Sequence, residues 1–253
     1  MIALERVTVS LEKLPSAFVG FTIAFLSDFH LRGNATLLQE ARELLKQESY
    51  DLCLLGGDYV ERAHQLAVLK NFLKTIALPN KTFAVKGNHE YYGDMRLLQQ
   101  VFKETGVHLL DNQSVRISKK GQSVDLIGVS PYLYDDPKVS DESDLPKALK
   151  GSSSACKILL SHSPDIILKE EAKQCSLVLS GHTHGGQICL PGIGALYTST
   201  RIGRAYASGL FSIDGLQLYV TRGLGTSKVF SLPSPRIRCM PEITLIRLVK
   251  DAT

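Results

Sequence analysis

Five short clusters hold five of the seven histidines in this chain, together with its best-placed carboxylates. In order they are Ser27-Asp28-Phe29-His30, Gly56-Gly57-Asp58, Gly87-Asn88-His89-Glu90, Ser161-His162-Ser163-Pro164 and Gly181-His182-Thr183-His184-Gly185-Gly186. Histidine, Asp and Asn are side chains that bind borderline metals such as zinc, manganese and iron. Asp28, His30, Asp58, Asn88, His162, His182 and His184 make seven candidate ligands. One ion with an open coordination position rarely takes that many. Two ions roughly 3.5–4 Å apart, bridged by one carboxylate, would use them all. Such a pair clamps the attacking and leaving oxygens of a phosphoryl transfer and generates a hydroxide near neutral pH. His89 is left over. A free imidazole there suits proton donation to the leaving oxygen, or stabilisation of charge on phosphate.

These groups need elements to bring them together. Each cluster follows an apolar run, at 21–26, 52–55, 83–85, 157–160 and 177–179. Short apolar runs bounded by glycine read as strands buried on both faces. Asp28, Asp58 and Asn88 are spaced thirty residues apart (58 − 28 and 88 − 58). A strand, a crossover helix and the next parallel strand take about 30 residues or more. The three groups are therefore expected at one end of three neighbouring parallel strands, where open α/β sheets bind ligands. Helical apolar spacing appears at 35–47, 63–76 and 94–103. Ser163 and Pro164 suit an N-cap and a first helical residue, placing His162 at a strand-to-helix turn. Asp28 and His30 are two apart, as are His182 and His184, so on extended backbone each pair shares a face. Glycines in the clusters let the chain turn sharply beside an ion or phosphate. Glu90 either orients a ligand from behind or faces solvent. His64 and His108 read as ordinary surface or core residues. Singly, Asp caps turns and Gly-Asp and Gly-Asn are common turn dipeptides; the order and spacing of all five clusters outweigh that.

The order Asp-x-His, Gly-Asp, Gly-Asn-His-Glu, His, Gly-His-x-His resembles that of the calcineurin-like metallophosphoesterases, from about 21 to 184. Gly181 to Gln187, Tyr219-Val220-Thr221-Arg222-Gly223-Leu224-Gly225-Thr226 and Pro241-Glu242-Ile243 resemble one bacterial branch of membrane-associated phosphodiesterases and pyrophosphatases. Some members act on UDP-2,3-diacylglucosamine in lipid A biosynthesis. The resemblance implies a four-layer α-β-β-α sandwich of two mixed sheets flanked by helices, forming a single catalytic domain over 1–253. It implies Asp28, His30 and His184 on one divalent ion, Asn88, His162 and His182 on the other, and Asp58 between them. His89 would be the catalytic histidine. Manganese is the expected metal, with iron or zinc as alternatives. The substrate would be a phosphodiester or pyrophosphate, cleaved by a metal-activated hydroxide, in a lipid-linked nucleotide such as UDP-2,3-diacylglucosamine. Relatives in that branch often carry an N-terminal membrane segment or export signal, and the resemblance implies that this chain starts where their catalytic domain would, either naturally short or with the anchor removed.

Gly57-Asp58-Tyr59-Val60-Glu61-Arg62 and Gly87-Asn88-His89-Glu90 also resemble the protein serine/threonine phosphatases. Those have Asp at Glu61, Gly at Ala63 and Arg at Lys86, and the form of the Asp28 motif and of Gly181 to Gln187 departs from them. Arg62 would bind phosphate on that reading, or simply start a surface helix. A phosphomonoesterase of this kind is the alternative, as is a scaffold on the same fold; a scaffold has no reason to keep seven ligands and a catalytic histidine.

The chain has 253 residues and a formal net charge of +4, enough to bury a sizeable core in one domain. That balance does not call for nucleic acid. Arg201, Arg204, Arg222, Lys228, Arg236 and Arg238 crowd the C-terminal third, as a basic face toward phosphate or anionic lipid or as dispersed solvated charges. Arg222 and Arg236 would offer a second phosphate site. Leu224, Val229, Phe230 and Leu232 would meet acyl chains or belong to the core. Five cysteines without CxxC spacing suggest reduced thiols, with Cys53 and Cys156 in the core. No run reaches the ~18 apolar residues of a membrane span, and nothing resembles a cleavable signal. The expected location is the cytoplasm, with peripheral contact at the inner membrane.

Overall fold

Alternation along each apolar run decides the architecture. In the computed structural model, which describes residues 1–32, 36–132, 142–229, 232–233 and 235–251 (backbone only over 228–234), the chain runs β1 (Ala3–Leu11), β2 (Thr22–Leu26), α1 (Thr36–Lys46), β3 (Leu52–Leu55), α2 (Leu66–Ile76), β4 (Thr82–Ala84), α3 (Met95–Thr105) and β5 (His108–Leu109). Next come β6 (Gln113–Lys119), β7 (Gln122–Gly128), α4 (Leu145–Lys150), β8 (Lys157–Leu160) and β9 (Leu177–Ser180). Last are β10 (Gly209–Ile213), β11 (Leu216–Val220) and β12 (Glu242–Lys250). Two-residue ribbons also form, Cys189–Leu190 with Gly194–Ala195 and Lys228–Val229 with Leu232–Pro233.

Among the described residues, two six-stranded sheets form. One has the order β1-β12-β2-β3-β4-β5, the other β10-β11-β9-β8-β7-β6. Both are mixed: β12 runs parallel to β1 but antiparallel to β2, and β6 and β10 run antiparallel to their neighbours. Ile23, Phe25, Leu52 and Leu54 face inward and meet Ile158, Leu160, Leu177 and Leu179 of the other sheet. The residues between them, Ala24, Leu26, Cys53 and Leu55, face outward onto α1, α2 and α3. The outward residues of the second sheet, Leu159 and Val178, meet α4 and the short turns around Ile166 and Ala172. The result is the expected four-layer α-β-β-α sandwich. Each fully buried Leu, Ile or Phe contributes roughly 1.5–3 kcal/mol.

The helices follow from local signals. Asp94 caps α3, its side chain accepting from the Arg96 and Leu97 amides. Leu98, Val101 and Phe102 form the buried stripe of α3. Gly106 ends it in left-handed backbone at φ 72°. After His162 the chain turns as expected into a helical element, capped by Ser163 and starting at Pro164; it is a short 3-10 helix, Pro164–Leu168, and at Lys169 the backbone returns to extended. The 63–76 segment likewise begins as a 3-10 turn, Ala63–Gln65, before α2. Most of the polar stretch 131–143 lies outside the described residues.

Candidate metal centre

β2, β3 and β4 are parallel neighbours, and Asp28, Asp58 and Asn88 follow their C-terminal ends. β8 and β9 are parallel neighbours in the other sheet, and His162, His182 and His184 follow them. The two sheets thus bring all seven residues to one mouth. The pairs do not meet by strand alternation, as expected from their spacing. Asp28, His30, Asp58, His182 and His184 have φ of 54°, 42°, 56°, 69° and 52°. Left-handed backbone at non-glycine residues is uncommon and costs energy, and it clusters at functional sites. Here it swings each side chain sideways from its strand end. Glycine supplies the room: a Cβ on Gly87 would collide with Asp58 Oδ1, and one on Gly181 with Asp28 Oδ2.

Asp58 Oδ2 is the centre. His30 Nε2 stands 3.2 Å from it and His162 Nε2 3.4 Å. On the first side, Asp28, His30 and His184 have donor atoms all within 4.8 Å of one another. On the second side, His162 Nε2 lies 3.1 Å from Asn88 Oδ1 and 3.2 Å from His182 Nδ1. The outer partners fix the imidazole tautomers. His162 Nδ1 donates to the Gly56 carbonyl at 2.7 Å and His182 Nε2 to the Ser199 carbonyl at 3.0 Å. His30 Nδ1 donates to Glu61 Oε1 at 2.6 Å. The ring nitrogens facing Asp58 are then lone pairs. His30 Nε2 is buried with no hydrogen-bond partner. Lone pairs and carboxylate oxygens this close repel one another unless a cation lies between them, so the donor set fits divalent metal.

Without a cation, protons answer the same charge. Burial alone would lower His30, but Asp58, Glu61 and Asp28 outweigh it and push it up to about 10. Burial is likewise outweighed by Asp58 and Asp28 at His162, which rises to about 9. Burial and the neighbouring His162 lower His182. Burial, His30 and Arg236 lower His184 well below its ordinary value. Asp58, despite burial, is held well below the usual carboxylate range by His162, His89 and His30.

His89 sits just outside this ring. Its Nδ1 lies 3.0 Å from Glu61 Oε1, its Nε2 4.0 Å from Asp58 Oδ2, and its amide donates to Asp58 Oδ1 at 2.9 Å. Glu90 is buried and orients the site from behind. Its carboxylate accepts from the amides of Asp58 and Tyr59 at 2.9 Å and of Gly87 at 2.6 Å, clamping two ligand turns together. Sequence reading missed Glu61, which joins His30 to His89. Its spacing, three after Asp58, was the available signal. Asp165 was also missed. It accepts from the Arg201 and Ile202 amides, holding the segment whose Ser199 anchors His182.

Two expectations fail here, and the core alternative holds for Leu224. Arg236 does not await a phosphate: its guanidinium is spent on the carbonyls of Arg222, Gly223, Gly225 and His184. Arg222 pairs with Glu5 at 2.5 Å and Glu242 at 2.6 Å. Leu224 is a core residue at 1% exposure. Phe230 and the side chains of Val229 and Leu232 lie outside the described residues. A cleft of about 860 Å³ opens beside His89 and Asn88, with Arg32 and Arg62 at its rim and Leu66, Met95 and Leu98 in its wall.

A four-layer sandwich with Asp, Asn and His at the mouth between its sheets is the architecture of a metal-using phosphoesterase. The chain belongs to the calcineurin-like phosphoesterase family, a family of hydrolases, whose model matches residues 21–186. It is similar to phosphodiesterase YaeI of Escherichia coli (strain K12), with 31% identity over 238 residues, 90% of this chain and 82% of that protein. Calcineurin-like phosphoesterase YfkN of Bacillus subtilis shares the fold, with a TM-score of 0.50 at 14% identity over 84% of this chain and 86% of that one. So does the sulfate thiohydrolase SoxB of Thermus thermophilus, with a TM-score of 0.51 at 14% identity over 84% of this chain; the chain spans 53% of that larger one. Among the described residues no helix is long and apolar enough to cross a membrane.

Proposed function

We propose that residues 1–253 form a single catalytic domain that hydrolyses a phosphodiester or pyrophosphate bond with two divalent cations. The carrying observation is the pair of acceptor clusters that share Asp58 Oδ2. Asp28, His30 and His184 would hold one ion, Asn88, His162 and His182 the other, with Asp58 bridging. Manganese is the expected metal, and iron or zinc would suit the same donors. Bound there, the pair would supply a nucleophile at neutral pH and neutralise the phosphate. Glu61 orients His89 through Nδ1, which leaves Nε2 toward the centre. Burial would lower His89, but Asp58 and Glu61 raise it, the direction that favours a proton donor to the leaving oxygen.

The cleft supports a substrate with an anionic part and an apolar part, because Arg32 and Arg62 face it together with Leu66, Met95 and Leu98. A lipid-linked nucleotide such as UDP-2,3-diacylglucosamine, met at the inner membrane from the cytoplasmic side, has that chemistry. Arg62 beside His89 also favours a second reading, a phosphomonoesterase like the protein serine/threonine phosphatases. Elemental analysis should give about two ions per chain. The manganese-loaded protein should turn over bis(p-nitrophenyl) phosphate and an acylated UDP-sugar faster than p-nitrophenyl phosphate or a phosphopeptide. Full activity with one ion would sink the dinuclear site. A preference for the phosphopeptide would establish the second reading.

A further inference from the structure

Half of the large apolar side chains that stand exposed among the described residues lie on one rim: Leu190, Ile193, Leu196, Tyr197, Ile237 and Met240. The Cys189–Leu190 and Gly194–Ala195 ribbon turns at Ile193, which is 61% exposed. Ile237 lies alongside, since Cys189 donates to its carbonyl and Ile188 bridges to it. Contiguous exposed apolar surface of this kind marks an interaction site.

Charge says what it meets. From Gly181 to Pro241 the chain carries Arg201, Arg204, Arg222, Lys228, Arg236 and Arg238 against one carboxylate, Asp214. Asp214 lies in the β10–β11 turn, at the end of that sheet remote from the metal centre. Arg201, Arg204 and Arg238 are exposed. Two copies of this rim face to face would set cations against cations. Apolar tips with exposed Arg201, Arg204 and Arg238 among them match an anionic lipid surface, where acyl boundary and headgroup phosphates lie within a few ångströms.

We infer that the 188–197 ribbon and the Ile237–Met240 segment dock the protein on an anionic bilayer. This deepens the reading of a lipid-linked substrate and rests on it for its use in the cell. The ribbon is joined to the site: a Cβ on Gly186 would press on Ala195, and Ser199 holds His182. Docking would therefore set the metal mouth at the lipid surface, through residues other than Leu224, which is buried.

The test sediments manganese-loaded protein with phosphatidylglycerol–phosphatidylcholine vesicles, and with phosphatidylcholine alone. Binding to the anionic vesicles should be at least about tenfold stronger than to neutral ones. Ile193→Asp and, separately, Leu190→Asp should weaken it at least about tenfold while turnover of a soluble diester stays unchanged. Equal pelleting of Ile193→Asp and wild type, or no pelleting by the wild type, overturns the inference. So does a dimer in solution that Ile193→Asp dissociates, which would assign the rim to a second copy. Soluble-diester turnover is read without vesicles, so failure of the hydrolase reading would show there and leave the docking result standing.

Discussion

Glu61 gives the site its asymmetry at the scale of single residues. One carboxylate oxygen receives Nδ1 of both His30 and His89, and the two rings stand nearly perpendicular. His30 is thereby aimed at Asp58, whereas His89 stays 4.0 Å from it and free to move a proton. His89→Ala should lower kcat by roughly 10²–10⁴-fold, with metal content almost unchanged, whereas His182→Ala should lose an ion. Elemental analysis beside kcat separates the two, and metal loss from His89→Ala would make His89 a ligand. Glu61→Ala should show both defects in milder form, since it orients one group of each kind.

Among the elements, the β6–β7 hairpin is pinned by one buried carboxylate remote from the chemistry. Asp125 accepts from the Ser153 and Ser154 amides at 2.6 Å and pairs with Arg116 at 3.0 Å. Burial would raise it, but Arg116 and the two amides outweigh that and hold it low. A lowered carboxylate stabilises the fold above its unfolded pKa and loses that stabilisation as pH falls through the folded one. Asp125→Ala should cost about 1–3 kcal/mol at pH 7. The gap between variant and wild type in urea titrations should persist at pH 5 and shrink below about pH 4. A gap that widens in acid would refute the assignment. The runs at 52–55 and 158–160 were legible because strands buried on both faces are apolar at successive positions. The same sequence hid β1 and β12, which pair across more than two hundred residues at a half-exposed edge. It also hid the left-handed turns at Asp28 and His182, because spacing carries no φ. Ser199, Asp165 and Arg236 were illegible for a related reason: they support ligands far from themselves in sequence.

At the scale of the whole molecule, the centre fastens one sheet to the other. Asp28, Asp58 and Asn88 come from the first and His162, His182 and His184 from the second. Metal bound by the native state alone should stabilise it by about 2.7 kcal/mol at 100 times Kd, so chelation should lower Tm. The pH dependence of the chelated protein follows from His30 and His162. Raised to about 10 and about 9, they stabilise the metal-free fold fully below about pH 6.5 and lose that contribution as pH rises through those values. Thermal scans with chelator should therefore decline from pH 7 to 10, more steeply than scans with manganese. Loading at pH 7.5 should release protons, read by calorimetry in buffers of different ionisation enthalpy. A chelated protein that gains stability over that range would contradict the assignment.

The position of β12 has a consequence for timing. It lies between β1 and β2, yet every ligand-bearing turn precedes it in the chain. During synthesis those turns leave the ribosome first, while β1 still lacks its partner and β2 keeps an open edge. The nascent polypeptide can offer imidazoles and carboxylates to passing cations, but in a first sheet that still lacks a strand. Topology thus predicts an order for maturation: the first sheet is completed only by translation past residue 250, and the tightest metal binding should follow it.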